Sequence, residues 1–280
     1  MGCKWIFTIK YKADGTLERY KARLVVKGYT QTYGIDYQET FALVAKMNTI
    51  RIILSLATNF DWPLLQFDVK NAFLHRDLDE EVFMDIPTGC GKQTWSYKVC
   101  KLIKSLYELK QSPWAWFGRF MRAMVKRDYR QSLSDHTLFI KHSHQGKITA
   151  LIVYVDDVVV SGDDQEEIIG LKAYLAREFE IKDLGKLWYV LGIEVARSKQ
   201  GLVISQRKYI QDLLKETGML GCKLAETPIE QNHRLGEANE DQLVDRGNYQ
   251  RLVGKLIYLS HTRLDIAYAV SGKSIYACST

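Results

Sequence analysis

The stretch ITALIVYVDDVVV, residues Ile148 to Val160, places two adjacent aspartates inside a continuous apolar run. A run rich in β-branched residues and bounded by polar segments is typical of buried strands. We therefore predict a pair of strands that meets at Asp156 and Asp157. Burying two like charges side by side is costly unless a cation or another partner compensates them. An ordinary turn is the alternative, since turns favour Asp, but the long apolar flanks favour a metal site.

A third aspartate, Asp68, stands at the end of another apolar run that begins at Leu64. Mg²⁺ is commonly held by one or two carboxylates together with substrate phosphates. Two such ions about 4 Å apart serve in-line phosphoryl or nucleotidyl displacement. Three aspartates on two neighbouring strands are therefore candidate ligands of a two-metal site.

The composition allows a large folded core and a nucleic-acid partner. The chain has 280 residues, is 46% hydrophobic and carries a formal charge of +6, which suits one large domain or two closely packed subdomains. Basic residues are concentrated in residues 10–27 and 98–130. Aromatic residues interleave in the second region, as in a track with phosphate contacts and stacking platforms: Tyr107, Trp114, Trp116, Phe117 and Tyr129. Alternatively, Trp114, Trp116, Phe117 and Phe120 form the core stripe of a helix.

Cysteine usage and hydropathy indicate an intracellular protein. The five cysteines are scattered without the pair spacing of a metal site, so they are interpreted as reduced thiols. His142 and His144 are assigned to a solvated hairpin tip and not to a metal centre. Neither a run of 18 apolar residues nor a signal-peptide pattern is found, so neither membrane insertion nor secretion is predicted.

Local patterns predict the main elements. Residues 3–11 and 20–27 are predicted strands joined by an Asp14-Gly15 turn. Predicted helices cover residues 48–59, 113–126 and 165–179, the second capped by Ser112. Asp163 and Asp164 are assigned to the start of the third helix, not to a second catalytic pair. Residues 229–247 read as a polar linker, and residues 249–270 as a further helical segment.

Six blocks occur in the order found in one known family. They are Tyr20–Gln31, Asp36–Phe41, Phe67–Leu74, Leu106–Pro113, Tyr154–Asp157 and Leu191–Val195. Through these blocks nearly the whole chain resembles the reverse transcriptase domain of copia-type retrotransposon polyproteins. A single tetrapeptide would be a weak signal, but six ordered blocks are specific.

The resemblance implies an α+β right-hand polymerase, with fingers, an antiparallel palm sheet that has helices packed on its other face, and a partial thumb or connection region. Residues 1–228 would form the reverse transcriptase domain: fingers 1–62 and 92–125, palm 63–91 and 126–195, and a thumb-like part 196–228. Residues 229–280 would be a linker and a truncated connection segment.

The resemblance further implies an RNA-directed DNA polymerase of the Pol polyprotein. Its partners would be an RNA template, a DNA primer and deoxynucleoside triphosphates, in cytoplasmic virus-like particles or the nucleus, without a membrane. Two Mg²⁺ ions, or Mn²⁺ in their place, would be held by Asp68, the backbone carbonyl of Val69, Asp156 and Asp157.

Further roles follow from the same blocks. Lys21 and Arg23 would clamp the triphosphate, since Arg offers a bidentate fork to phosphate oxygens; alternatively they are the solvated face of a strand. Phe73 would exclude a ribose 2′-hydroxyl by steric contact, or it is a core residue. The remaining assignments are Gln111 to the template or nucleotide, and Tyr154, Leu191 and Gly192 to the primer.

Five positions depart from the family pattern: Leu43, Arg76, Glu108, Trp114 and Leu264. Glu108 stands where the family usually has Gly, and Trp114 where it has Arg. Glu108 would bring bulk and negative charge towards a triphosphate. The chain is therefore either an active polymerase or a folded, inactive relic that binds nucleic acid through its basic surface. An unrelated metal-dependent nuclease or nucleotidyltransferase is the third alternative.

Overall fold

The structure, a computed structural model, describes residues 1–12, 14–37, 44–75, 77–90, 98–229 and 245–272. It divides into two compact units, Met1–Lys186 and Leu187–Thr280. The predicted linker at 229–247 lies outside the described residues except for its ends, as do residues 38–41 of the second sequence block. Among the described residues, no helix is both long and apolar enough to cross a membrane.

The first unit contains antiparallel sheets with helices packed against them. In chain order its elements are β1 Cys3–Tyr11, β2 Leu17–Val26, α1 Met47–Asn59, β3 Leu64–Val69, β4 Asp77–Asp85, β5 Val99–Lys104, α2 Ser112–Lys126, β6 Arg130–Gln131, β7 Leu138–His142, β8 Ile148–Tyr154, β9 Asp157–Gly162, α3 Gln165–Glu178 and β10 Ile181–Lys186. The expected α+β class with antiparallel pairing is confirmed.

The main sheet has, within the described residues, six strands in the order β10-β3-β9-β8-β7-β6, all paired antiparallel. The hairpin β1–β2 and the pair β4–β5 are separate from it. Strands β3 and β9, which carry the aspartates, are inner neighbours in this order. Their largely apolar sequences agree with this inner position.

One face of the main sheet packs on α2 and α3. Its core contains alternate residues of β3, β8 and β9 and the inner stripes of both helices, as the two-residue period of a strand requires. The members include Phe67, Val69, Phe120, Phe139, Leu151, Val153, Val158, Val160, Leu171 and Leu175. The opposite face is contacted by α1 at β9. Asp68 lies between Phe67 and Val69 on β3, and side chains alternate between the two faces of a strand. Asp68 therefore projects away from the α2–α3 core.

Most predicted elements are confirmed, with one change at α2. Asp164 caps α3 by accepting a hydrogen bond from the Glu167 amide, as predicted. Helix α2, however, begins at Ser112 with Gln111 in the N-cap position. The Ser112 hydroxyl donates to the Leu106 carbonyl at 2.8 Å, so the prediction that Ser112 caps the helix is wrong. The hydroxyl instead fastens the preceding loop.

The aromatic residues of α2 lie in the protein core, with one exception. Trp116, Phe117 and Phe120 are buried, whereas Trp114 is 42% exposed. The alternative of a helix core is therefore confirmed for the first three, and Tyr129 is buried as well. Trp114 and the half-buried Tyr107 remain candidates for stacking on nucleic-acid bases.

The second unit has a small antiparallel sheet and helices. Its elements are β11 Tyr189–Val190, β12 Ile193–Ser198, β13 Gly201–Ser205, α4 Arg207–Glu216 and α5 Arg246–Ser260. The two helices are joined by a hydrogen bond from the Tyr209 hydroxyl to the Lys255 carbonyl at 3.1 Å. Helix α5 accounts for the first part of the helical segment predicted at 249–270.

Candidate active site

The pair Asp156 and Asp157 lies at the turn between β8 and β9. Tyr154 pairs with Asp157, so Val155 and Asp156 form a two-residue loop. Val155 has a φ of +54°, which is unfavourable for a β-branched residue. Such a conformation costs about 1–3 kcal/mol and persists only where the surroundings fix it.

Two hydrogen bonds fix this loop. The Val69 amide donates to the Asp156 carbonyl at 2.7 Å. The indole N–H of Trp116 donates to the Val155 carbonyl at 2.6 Å. Because both loop carbonyls are held from outside the hairpin, its unusual backbone conformation is stabilised by neighbouring elements.

Asp68 is placed beside this turn by strand pairing. On the β3–β9 ladder Asp68 stands directly opposite Asp157. Opposed residues of an antiparallel pair project from the same face, with Cβ atoms about 4.5–5.5 Å apart. The sequence blocks around Asp68 and Asp157, 89 positions apart, are therefore brought into one register on one face of the sheet.

Negative charge accumulates where these residues meet. The pKa of Asp156 is raised from its ordinary value by desolvation and then by the charge of Asp68, while Lys21 and Arg23 oppose the rise. The pKa of Asp157 is likewise raised by desolvation, with Asp156 and Asp68 adding to it. Raised carboxyl pKa values of this origin mean that a bound cation would be stabilised here.

The donor set fits a hard divalent ion. Asp68, Asp156, Asp157 and the Val69 carbonyl offer only oxygen ligands, which Mg²⁺ prefers. Within the part of the chain that the structure describes, however, no three His, Cys, Asp or Glu side chains form a group that could hold one ion. The convergence of the three carboxylates on one pocket stays a prediction. Asp157 accepts a hydrogen bond from the Gln66 side chain.

Gln66 is a site residue that the sequence-based prediction missed. Its side-chain amide donates to Asp157 Oδ1 at 2.9 Å. Gln66 is two residues before Asp68 and only 5% exposed, and its Oε1 is buried without a hydrogen-bond partner among the described residues. A buried unsatisfied acceptor costs about 1–3 kcal/mol. The signal was available, since a glutamine interrupts the apolar run LLQFDV.

Lys21 and Arg23 lie on strand β2. Both are half-buried. The pKa of Lys21 is lowered by partial burial and by the neighbouring cations Arg23, Arg19 and Lys10, whereas Asp68 opposes the shift. The charges of Lys21 and Arg23 in turn oppose the rise in the pKa of Asp156. The alternative that both residues form the solvated face of the strand stays open.

The Tyr107 ring contacts both Arg23 and Phe73. The Arg23 guanidinium lies 6.0 Å from the centre of the Tyr107 ring, and Phe73 meets that ring edge-on at 5.3 Å. The pKa of Tyr107 is raised by burial, and the charges of Asp156 and Asp68 add to the rise. Phe73 also packs against the core cluster. Both predicted roles of Phe73, core residue and contact near the site, therefore stay open.

Gln111 is occupied within the protein. It is 4% exposed, accepts a hydrogen bond from the Gln31 side chain at 3.0 Å and donates to the Asp36 carbonyl at 3.3 Å. In this conformation the side chain joins two segments far apart in sequence. A contact with template or nucleotide, as predicted, would require these hydrogen bonds to break.

Leu191 and Gly192 belong to the second unit. They form the loop between β11 and β12, both with positive φ, +48° and +74°, which is the conformation of a type I′ hairpin turn. The Tyr258 hydroxyl donates to the Leu191 carbonyl. The predicted primer contact of this hairpin stays a prediction.

Glu108 occupies an unfavourable backbone conformation. Its φ is +67° and its side chain is exposed. Its carbonyl oxygen lies 1.8 Å from the position that a Cβ on Gly28 would take, so only glycine fits at position 28 without a shift. The glycine usual at position 108 in the family is explained by the left-handed conformation, in which glycine has no Cβ penalty.

Carboxylates grouped on one face of an antiparallel sheet, with basic side chains beside them, are the arrangement expected of metal-dependent nucleotidyl-transfer proteins. Residues 1–231 match the family described as Reverse transcriptase (RNA-dependent DNA polymerase). The chain belongs to this family, and the resemblance predicted from the six sequence blocks is confirmed.

Similar curated proteins are Pol polyproteins of plant transposons. The chain is 44% identical over 272 residues to the retrovirus-related Pol polyprotein from transposon RE1 of Arabidopsis thaliana, covering 97% of the chain and 18% of that protein. It is 42% identical over 276 residues to that of transposon RE2 of the same plant, covering 99% of the chain and 19% of that protein. It is 41% identical over 277 residues to that of transposon TNT 1-94 of Nicotiana tabacum, covering 96% and 21%. The chain thus spans about one fifth of the length of these relatives.

Proposed function

We propose that this chain is the RNA-directed DNA polymerase portion of a copia-type Pol polyprotein and adds deoxynucleotides to a DNA primer on an RNA template. The observation that carries the proposal is the register of Asp68 opposite Asp157, with Asp156 in the adjoining turn. This register supplies the carboxylates of a two-metal reaction from two strands.

Each side chain then has a defined task. Asp68, Asp156, Asp157 and the Val69 carbonyl would hold Mg²⁺, or Mn²⁺ in its place. Bound there, the two ions would supply activation of the primer 3′-hydroxyl and neutralisation of the triphosphate. Lys21 and Arg23, whose charges act on Asp156, bind the triphosphate oxygens. Phe73 lies against the sugar, and Tyr154 lies beside the primer terminus.

The architecture that goes with this function is the right hand. We assign the main sheet to the palm and the β1–β2 hairpin to the fingers, with the boundaries given above for fingers, palm and thumb-like parts. The β11–β12 hairpin at Leu191 and Gly192 is assigned to the primer. The segment 229–280 is assigned to a linker and connection region.

Primer extension with an RNA template, Mg²⁺ and deoxynucleotides tests the proposal. Asp156→Asn and Asp157→Asn should abolish incorporation. Asp128→Asn is the matched control, because Asp128 is exposed, distant in sequence from the proposed ligands and has a φ of +65° that Asn also tolerates. Incorporation that survives in Asp156→Asn would refute the proposal.

An inactive relic is the second candidate, and Glu108 favours it. A carboxylate in the block predicted to lie against the triphosphate adds repulsion to a strained backbone. For this candidate the chain binds an RNA–DNA duplex through its basic surface but extends no primer with either metal. The same extension assay, run beside a duplex-binding measurement, separates the two.

A further inference from the structure

The Trp116 side chain connects helix α2 to the catalytic turn. Its indole N–H reaches the Val155 carbonyl at 2.6 Å across 39 positions of sequence. Val155 is the residue whose left-handed backbone turns the chain into Asp156. This short hydrogen bond is therefore accepted by Val155, the residue of the site with the least favourable backbone conformation.

The indole is held firmly enough to act as a fixed donor. Trp116 is 2% exposed. Its ring lies 5.2 Å from Phe179, edge-on, and 5.7 Å from Phe120. Because aromatic neighbours confine the ring on the core side of the sheet, the N–H cannot follow the turn if the turn moves.

The second restraint on the turn acts on a different atom. The Val69 amide holds the Asp156 carbonyl at 2.7 Å, and Val69 follows Asp68 directly. Trp116 thus holds the Val155 carbonyl from helix α2, and Val69 holds the Asp156 carbonyl from strand β3. Releasing the Trp116 hydrogen bond frees the peptide plane between Val155 and Asp156, and with it the direction of the Asp156 carboxylate.

We propose that Trp116 is a positioning residue, whose indole N–H fixes the Val155–Asp156 peptide and thereby aims the Asp156 carboxylate. The contribution of Trp116 to catalysis rests on the polymerase function proposed above. The restraint itself is a property of the folded chain and is measurable without activity.

Replacing only the N–H tests the restraint. Trp116→3-benzothienylalanine, introduced by nonsense suppression, keeps the ring shape and exchanges the N–H for sulfur. Amide hydrogen exchange at Val69 should become roughly five- to tenfold faster, the effect of losing one hydrogen bond. Amides of Leu151 and Val160, inside β8 and β9, should keep their rates. In an extending chain the maximal incorporation rate should fall by a similar factor at unchanged apparent nucleotide affinity.

Trp114→3-benzothienylalanine is the matched control, because Trp114 stands on the same helix but is largely exposed. It should leave the exchange rates of Val69, Leu151 and Val160 unchanged. An unchanged Val69 rate in the Trp116 variant overturns the proposal, and so does an equal acceleration at Leu151 and Val160. An unchanged incorporation rate in an extending chain also overturns it. If the unmodified chain extends no primer, the polymerase proposal fails, while exchange at Val69 still decides the role of Trp116.

Discussion

Gln66 and Asp157 are joined by a hydrogen bond of 2.9 Å between neighbouring strands. The donor is a buried amide whose own oxygen has no hydrogen-bond partner in the part of the chain that the structure describes. A polar side chain is thus buried in the sheet interior, where it holds one carboxylate oxygen of the proposed metal site.

Gln66→Met should therefore separate stability from activity. The change removes the unsatisfied oxygen and keeps a similar volume, so the free energy of unfolding should change by less than about 1 kcal/mol. Primer extension should fall roughly tenfold, because Asp157 loses its orienting donor. Urea denaturation and single-nucleotide incorporation measure the two effects. Gln165→Met, at an exposed position, is the control. Equal activity in both variants would contradict the orienting role.

Glu108 offers a test in which charge and backbone strain are separable. Glu108→Gly relieves both, whereas Glu108→Gln removes only the charge. We expect Glu108→Gly to raise the free energy of unfolding by about 1 kcal/mol, since position 108 is left-handed, and Glu108→Gln to leave it near that of the original chain. Extension should improve in both variants, because repulsion of the triphosphate is removed. If the original chain extends as well as Glu108→Gln, the charge is harmless.

Phe73→Ala tests sugar selection. Removing the ring should allow ribonucleotides to be incorporated, because the predicted steric block disappears. Some stability should also be lost, since Phe73 contacts Tyr107 and the core. Phe73→Tyr, which keeps the ring, is the control. The ratio of ribo- to deoxynucleotide incorporation is the measurement. An unchanged ratio in Phe73→Ala would assign Phe73 to the core alone.

Asp135 provides a pH-dependent test of folding away from the site. It is 4% exposed and accepts hydrogen bonds from the Lys46 amide, the Thr49 hydroxyl, and the amide and hydroxyl of Thr137. Burial alone would raise the pKa of Asp135, but these hydrogen bonds outweigh it and lower the pKa.

A carboxyl pKa that is lower in the folded state stabilises the fold above the unfolded-state pKa, about 3.9. This stabilisation is lost as the pH falls through the folded-state pKa. Asp135→Asn should thus reduce the free energy of unfolding by about 2 kcal/mol at pH 7, and the difference from the original chain should shrink below about pH 4. Urea denaturation across this range checks it, with Asp128→Asn as control. A difference that does not depend on pH would refute the account.

The strands of the site were predictable because their signals are local. The apolar runs around Asp68 and Asp156 indicate inner strands whatever the rest of the chain does, and the structure confirms β3, β8 and β9. Gln66 and Trp116 were missed because their partners are 91 and 39 positions away, and periodicity carries no information on such pairs. Gln111 shows a second limit of local patterns. A polar residue in a ligand-binding block was expected to face the ligand, yet its amide is engaged by Gln31, 80 positions earlier.

The contact between Gly28 and the Glu108 carbonyl has a mechanical consequence. The end of β2 and the loop at 106–111 touch backbone to backbone, and the Val26 amide donates to the Tyr107 carbonyl at 3.2 Å. The hairpin that carries Lys21 and Arg23 therefore cannot swing as a free arm. If the hairpin closed over a nucleotide, Tyr107 would therefore move with it. Binding of the triphosphate by Lys21 and Arg23 would then be coupled to a shift of the Tyr107 ring against Phe73.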